Sequence, residues 1–344
     1  MLAISDSRAH KAPCRLTQFP LRALSAFVFS LVGCASPIFS QEPIPSFPPP
    51  PPIHVTVSEV NIGVTVIGKN GIPVAALRRD DFRVFDNGAP QTIVGFLSDN
   101  DPGLVVLLLE AGPGAFFNQA SELRAAGMFL DALPPNYRVA LVSYSRNPTL
   151  LVDFTNDKTN VRQGLATMNF KAGYAELNLI ASISSTIDWL TSLAGKKSIV
   201  LLSSGIDTSP QLDWPAVQQK LDLSDVRIIA VSVSQEIRKP AKDRVLSPEQ
   251  RRNLNFAKTS FDDADRGLRQ LAEPTGGHVY FPKQGKDFDR AFSEIAKSLS
   301  HEYRLSISPT SPDGQFHTLS VKVDRLFSNI SFRRGYFVPP PPTN

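Results

Sequence analysis

The chain has 344 residues, with 36 Lys and Arg against 32 Asp and Glu, a formal charge of +4, 29 prolines and two cysteines. Its isoelectric point is about 9.0 and its mean hydropathy −0.09. These values exclude a multi-span membrane protein and a wholly disordered chain, and the length accommodates two domains with cores of their own. The basic balance would suit nucleic acid or an anionic membrane, but it is concentrated at one end. Residues 1–34 hold Arg8, Lys11, Arg15 and Arg22 against Asp6, so the remaining 310 residues carry 32 basic and 31 acidic side chains. Nucleic acid therefore drops out as the default partner.

Residues 1–34 read as a secretory signal: a basic stretch ending at Arg22, then the apolar run Ala23–Val32. A run of about ten residues is too short to span the roughly 30 Å hydrocarbon core. The long basic stretch leaves room for a start downstream of Met1. Leu31-Val32-Gly33-Cys34 closes the apolar run and resembles the lipobox of bacterial lipoproteins. That resemblance implies lipidation of Cys34, with enough acyl chain for stable anchoring. An ordinary signal cleaved after Ala35 or near Ser40 is the alternative. Both cysteines, Cys14 and Cys34, fall in this leader, so the exported chain is expected to lack an intramolecular disulfide. The membrane is expected as a partner only through such a lipid anchor, and the location is periplasm, outer membrane or cell surface.

Residues 35–52 form a proline-rich spacer. Pro48–Pro52 would make a stiff polyproline II rod of about 15 Å, which either holds a domain off a membrane or docks a proline-binding partner. From Ile53 the pattern has period two: 53–60, 62–67, 82–85 and 91–96 read as half-buried strands, with turns at Lys69-Asn70-Gly71 and Asp86-Asn87-Gly88. Residues 53–100 are the first part of a β-sandwich.

At Gly103 the texture changes. Leu104–Leu109 is a continuous apolar run, the mark of a parallel strand covered on both faces. Helical periodicity at 121–133, 158–168, 176–194, 214–222, 261–273 and 287–300 alternates with strands at 138–144, 149–152, 198–203, 226–233 and 278–281. Residues 101–301 thus read as a doubly wound α/β unit. Within it the stretch 234–260, holding Arg238, Lys239, Lys242, Arg244, Arg251 and Arg252, is a solvated insert, an extra helix or a binding surface. Strand patterns return at 303–307, 316–323 and 330–332, so 302–338 would complete the sandwich around the inserted α/β unit, since each half alone would leave an edge and an apolar face bare. A proline-rich tail, 339–344, follows.

Asp80–Gly88 with Gln91, Val105–Glu110, Asn136–Ser145, Leu201–Asp207 and Arg333–Phe337 together resemble the von Willebrand factor A-related proteins common in acidobacteria, over residues 53–338. The resemblance implies a Rossmann-like A-domain. Many A-domains bind ligand through a metal-ion-dependent adhesion site: an Asp-x-Ser-x-Ser loop, a Thr on a second loop and an Asp in Ser-Asp-Gly, whose oxygens suit Mg²⁺. At the matching positions this chain has Glu110, Gly112, Gly114, Tyr174 (or Ala175) and Ser204. Carboxylates remain only at Glu110 and nearby Asp207, so the site reads as degenerate. No metal and no cofactor are expected. A rearranged metal set would have to use Glu110, Asp207 and Glu176.

Gly112-Pro113-Gly114-Ala115-Phe116-Phe117 partly matches a dinucleotide fingerprint, but Phe117 replaces the third glycine and no acid follows the next strand. His54, His278, His301 and His317 show no metal-ligand spacing, and there is no Gly-x-Ser-x-Gly. No catalytic residue is assigned. The expected function is an exported, envelope-tethered, adhesion-like module that binds an unidentified protein ligand, with Phe116, Phe117, Tyr174, Ser204 and Asp207 as contact candidates. Metal-assisted binding through the rearranged set, or an enzyme using the same cleft, is the alternative.

Overall fold

The computed structural model describes residues 59–170, 176–209, 213–237, 248–309, 313–324 and 329–340, with the backbone alone at 113–118, 121, 236–237 and 248–259. The leader with Cys34, the proline-rich spacer, the strand expected at 53–58, Tyr174, residues 238–247 of the basic insert and the last four residues lie outside them.

Four strands open the fold: β1 (Val60–Ile67), β2 (Phe82–Asp86), β3 (Ala89–Gln91) and β4 (Ile93–Leu97). Asn87 and Gly88, both with positive φ, make the tight β2–β3 turn for which Asn-Gly is suited. The α/β unit follows as β5 (Gly103–Glu110), α1 (Pro113–Ala132), β6 (Arg138–Tyr144), β7 (Pro148–Thr155), α2 (Lys158–Ala166), α3 (Leu179–Thr191), β8 (Lys196–Ser203), α4 (Trp214–Leu223), β9 (Arg227–Ser232), α5 (Ser234–Ile237), α6 (Pro248–Ala272), β10 (Val279–Tyr280) and α7 (Gly285–Ser300). The chain closes with β11 (Glu302–Ile307), β12 (Phe316–Val323), β13 (Asn329–Phe332) and β14 (Gly335–Phe337).

The six-stranded central sheet has the order β10-β9-β8-β5-β6-β7. β5 lies at its centre, and its alternate side chains enter different cores. Val105, Leu107 and Leu109 pack with Phe129 of α1 and with Phe288 and Phe292 of α7, while Val106 and Leu108 pack with Ile183 of α3, Leu221 of α4 and Leu268 of α6. Burial on both faces explains why the run is apolar throughout. Each such side chain contributes roughly 1.5–3 kcal/mol on leaving water. β7 departs from the expected short strand: it spans Pro148–Thr155 and runs antiparallel to β6 as the sheet edge. α1 begins at Pro113, eight residues before the periodicity predicts, because Pro at N1 starts a helix without an apolar stripe. The basic stretch contributes α5 and the first half of α6.

Two four-stranded sheets, β13-β1-β11-β4 and β14-β12-β2-β3, draw strands from both ends of the chain and enclose one core of Ile62, Val64, Val84, Tyr303, Leu305, Val321 and Tyr336 among others. β12 alternates exposed and buried residues along its whole length, as a strand with one wet face must. β1 pairs antiparallel with β11, placing Thr65 opposite Glu302 and Val60 opposite Ile307.

Polar side chains join the sandwich to the amino end of the central sheet. Lys196, at the start of β8, donates to the carbonyls of Ser98 and Glu302 at 3.1 and 3.2 Å. Arg227, at the start of β9, donates to Thr65 Oγ1 (2.8 Å) and the Gly276 carbonyl (3.1 Å) and lies 3.8 Å from Glu302. Asp225 receives both Lys197 and Arg304 at 2.6 and 3.1 Å. Arg333 donates to the carbonyls of Ser224 and Asp222 at 2.6 and 2.7 Å. Desolvation lowers its pKa to about 10, and Glu302 is raised by the same cause against the pull of Arg227.

Candidate functional site

Strand order reverses between β5 and β8, and the crevice of an open α/β sheet forms at the carboxyl ends of such a pair. β5 ends there at Glu110 and β8 at Ser203. Glu110 is 1% exposed. Its Oε2 accepts from the Ser204 amide (2.7 Å), the Ser204 hydroxyl (2.8 Å), the Ser203 hydroxyl (3.2 Å) and the Tyr144 hydroxyl (3.3 Å). Tyr144 and Ser203 are themselves 2.6 Å apart, and Ser203 Oγ accepts from the Gly205 amide at 2.8 Å. Burial pushes the Glu110 carboxyl above the usual range, and the donated hydrogen bonds pull against that shift. Tyr144 is raised by burial and by the charge of Glu110.

Asp207 is committed to the backbone. Its Oδ2 accepts from the Ile180 amide (2.9 Å) in the first turn of α3, and its Oδ1 from the Ser209 amide (2.7 Å). A carboxylate at a helix N-terminus also meets the positive end of the helix dipole. Thr208 and Leu177 exchange two further bonds of 2.8 Å, and Asn178 joins the Ser145 carbonyl at 2.8 Å. The loops after β6 and β8 and the entry to α3 are thus laced into one surface. On its rim Arg146 pairs with Glu176 at 3.2 Å, with 74% and 40% of those side chains exposed.

Gly112 is the N-cap of α1 in extended conformation, with no side-chain cap. A Cβ added there would fall 2.6 Å from Leu177 Cδ2 and 3.2 Å from Glu110 Oε1. Leucine therefore occupies the space that a hydroxyl-bearing side chain at 112 would need. Gly114, Phe116 and Phe117 lie in the first turns of α1.

The oxygens present do not fit a resident Mg²⁺. Four donors converge on Glu110 Oε2, both Asp207 oxygens accept backbone amides, and Glu176 is paired with Arg146. Glu110 Oε1 is buried without a hydrogen-bond partner, and one free oxygen is far short of a near-octahedral set. Among the described residues, no three His, Cys, Asp or Glu side chains are grouped to hold a metal ion. Ser204, expected on the contact face, is 1% exposed with its amide and hydroxyl turned to Glu110, so it is part of the support beneath that face. His278 is exposed beside Tyr280, edge to face at 5.0 Å, and partial desolvation lowers its pKa.

Tyr144 and Ser203 escape sequence reasoning. The only signal is a polar residue ending each of two apolar strands, Val142-Ser143-Tyr144 and Leu201-Leu202-Ser203, and such residues commonly cap a strand without further role.

Residues 123–293 match the family model of the von Willebrand factor type A domain. No curated protein matches the chain. Among solved structures, a von Willebrand factor type A protein from Catenulispora acidiphila is similar at 9% identity and a TM-score of 0.44, covering 83% of this chain and 74% of that one. The conserved hypothetical protein BatB from Bacteroides thetaiotaomicron is similar at 12% identity and 0.39, covering 57% and 99%. Proximal thread matrix protein 1 from the mussel byssus gives 10% and 0.42, with 62% of this chain spanning 49% of that one. The match over 123–293, on a helix-flanked central sheet set in additional strands, shows that this chain contains a von Willebrand factor type A domain.

Proposed function

We propose that this protein is an exported, envelope-tethered, adhesion-like module that binds a protein partner through the carboxyl-end loops of its central sheet, without a metal ion and without catalysis. The observation that carries this reading is the commitment of Glu110 and Asp207 to internal hydrogen bonds, which turns the crevice into a built polypeptide surface. The topology adds a direction. The sandwich covers the amino end of the central sheet. The chain enters it at Val60, opposite Ile307, while Glu302, five residues before Ile307, touches Arg227 of the α/β unit. At about 3.4 Å per residue the entry lies some 17 Å from that junction. A proline-rich spacer leading to a lipidated Cys34 would then join the pole opposite the contact face. Phe116, Phe117, Tyr174 and Asp207, with Arg146 and Glu176 on the rim, are the proposed contact residues.

Crosslinking and mass spectrometry of the native envelope fraction tests this. Crosslinks to a partner are expected near residues 112–117, 146, 176 and 205–209, to be weakened by Arg146→Glu and retained in Arg290→Glu, a control on exposed α7. Crosslinks confined to the sandwich, or indifferent to R146E but lost in R290E, would contradict the assignment.

A further inference from the structure

Away from the crevice, the sandwich contains a charged cluster for which partner binding has no use. His317, on β12, is 4% exposed. Its Nδ1 lies 2.9 Å from Asp86 Oδ1 on β2, and its Nε2 lies 3.2 Å from Asp313 Oδ1 in the turn before β12. Tyr336 of β14 donates to Asp86 Oδ2 at 2.8 Å and stacks on the imidazole, with ring centroids 5.1 Å apart. An ionised carboxylate only accepts, so a ring with a carboxylate at each nitrogen makes both bonds only when both nitrogens carry protons. The geometry therefore requires an imidazolium. Burial opposes that charge, but the hydrogen bonds to Asp313 and Asp86 and their charges outweigh it, and the pKa of His317 stands above its ordinary value. Asp313 is correspondingly lowered, chiefly by its bond to His317.

We propose that Asp86, His317 and Asp313 form a proton-operated latch that holds β14, and the chain after it, onto the sandwich. β14 is the right element to be gated. It has three residues and, among the described strands, pairs with β12 alone, through Phe316–Phe337, His317–Tyr336 and Thr318–Gly335. The segment before it is anchored to the end of α4 by Arg333, which bonds the carbonyls of Asp222 and Ser224 and also holds the Gly335 carbonyl at the first residue of β14 (2.6 Å). Opening therefore begins after Gly335 and runs toward the C-terminus. Beyond it, the Val338 amide bonds to the Gln315 carbonyl (3.2 Å), next to Asp313. Among the described residues, the charged and titratable groups acting on this cluster are Asp86 from β2, Asp313 from the turn, Tyr336 from β14, and Arg333 just before β14, which acts on Tyr336. Loss of one proton sets a bare ring nitrogen against a carboxylate lone pair and removes one of the two bonds that hold the ring against Tyr336 and the carboxylate Tyr336 shares, loosening the hold on β14.

Because the folded value is raised, the stabilisation is complete below the unfolded histidine value near 6.5 and is lost as pH rises through the folded value. Nitrogen-15 spectra of the His317 ring are expected to show two protonated nitrogens below pH 6.5 and a transition above it. Between pH 6.5 and that transition, hydrogen-exchange protection of 335–337, normalised to β5 in the same sample, is expected to fall by up to about tenfold per pH unit and to level off above it, as one linked proton requires. Asp313→Asn, at an exposed position, is expected to move both transitions to lower pH. Asp324→Asn, which breaks the exposed Arg83 pair farther along β12, is expected to leave them in place. A ring nitrogen already bare below pH 6.5, exchange at β14 that ignores the transition, or equal shifts in D313N and D324N would overturn the latch.

Discussion

Glu110 ends the central strand at the switch point, and the donors that meet its carboxyl belong to its own chain. Removing it would leave the buried Ser204 amide and hydroxyl without their acceptor and take one partner from Ser203 and Tyr144, which keep each other at 2.6 Å. Glu110→Ala is therefore expected to destabilise the protein by about 2–4 kcal/mol, since unsatisfied buried donors cost about 1–3 kcal/mol each and partly relax. Glu110→Gln keeps an acceptor for those donors and should cost clearly less. The raised pKa adds a sign: the native state holds the extra proton, so this carboxyl favours folding most below its ordinary value of 4.5 and loses that contribution as pH rises through the folded value. Urea denaturation of wild type and E110Q from pH 4 to 8 would show the relative stability of the variant rising with pH. The presence of Glu110 and the absence of the serines were legible in the sequence. The committed state of the carboxyl was not, because it depends on Tyr144 and Ser203 arriving from strands 34 and 93 residues away.

Among the elements, those with a strong period were legible and those shaped by neighbours were not. The apolar run of β5, the alternation of β12 and the amphipathic face of α7 announce themselves because each is set by which side meets water. β7 and α1 extend beyond their sequence periodicity: β7 is lengthened by pairing with β6, and α1 starts at a proline. The turn from α6 into β10 is another place where the neighbour decides. A Cβ on Gly277 would fall 1.7 Å from the Ile228 carbonyl oxygen, with no flexible atom to give way. Gly277→Ala is expected to cost about 3 kcal/mol or more, the upper end of overpacking penalties. Gly71 has φ of +76° and open space around it, so Gly71→Ala should cost only about 1–2 kcal/mol for the left-handed backbone. Thermal denaturation of the two variants separates a steric requirement for glycine from a conformational one.

At the scale of the whole molecule, the sandwich made from both chain ends was predictable, since neither group of strands could cover its own face. What the sequence conceals is how that sandwich is fixed to the α/β unit. Lys196, Arg227, Asp225, Glu302 and Arg333 look like ordinary surface charges when read along the chain, yet all except Asp225 are under 9% exposed. Arg227→Met would leave the Glu302 carboxyl buried with a weakened set of cations, and breaking such a pair from one side is expected to cost about 3–5 kcal/mol. The double variant Arg227→Met, Glu302→Gln should recover much of that loss in a chemical denaturation series, because it removes the uncompensated charge.

The most direct measurement of metal-free partner binding is the crosslinked partner yield from the native envelope fraction, taken with EDTA, without it, and with added Mg²⁺. The account predicts the same partner, the same crosslinked residues around the carboxyl-end loops and the same yield in all three conditions. A yield abolished by EDTA and restored by Mg²⁺ would contradict it, and would mean that Glu110 and Asp207 give up their internal bonds to hold a cation.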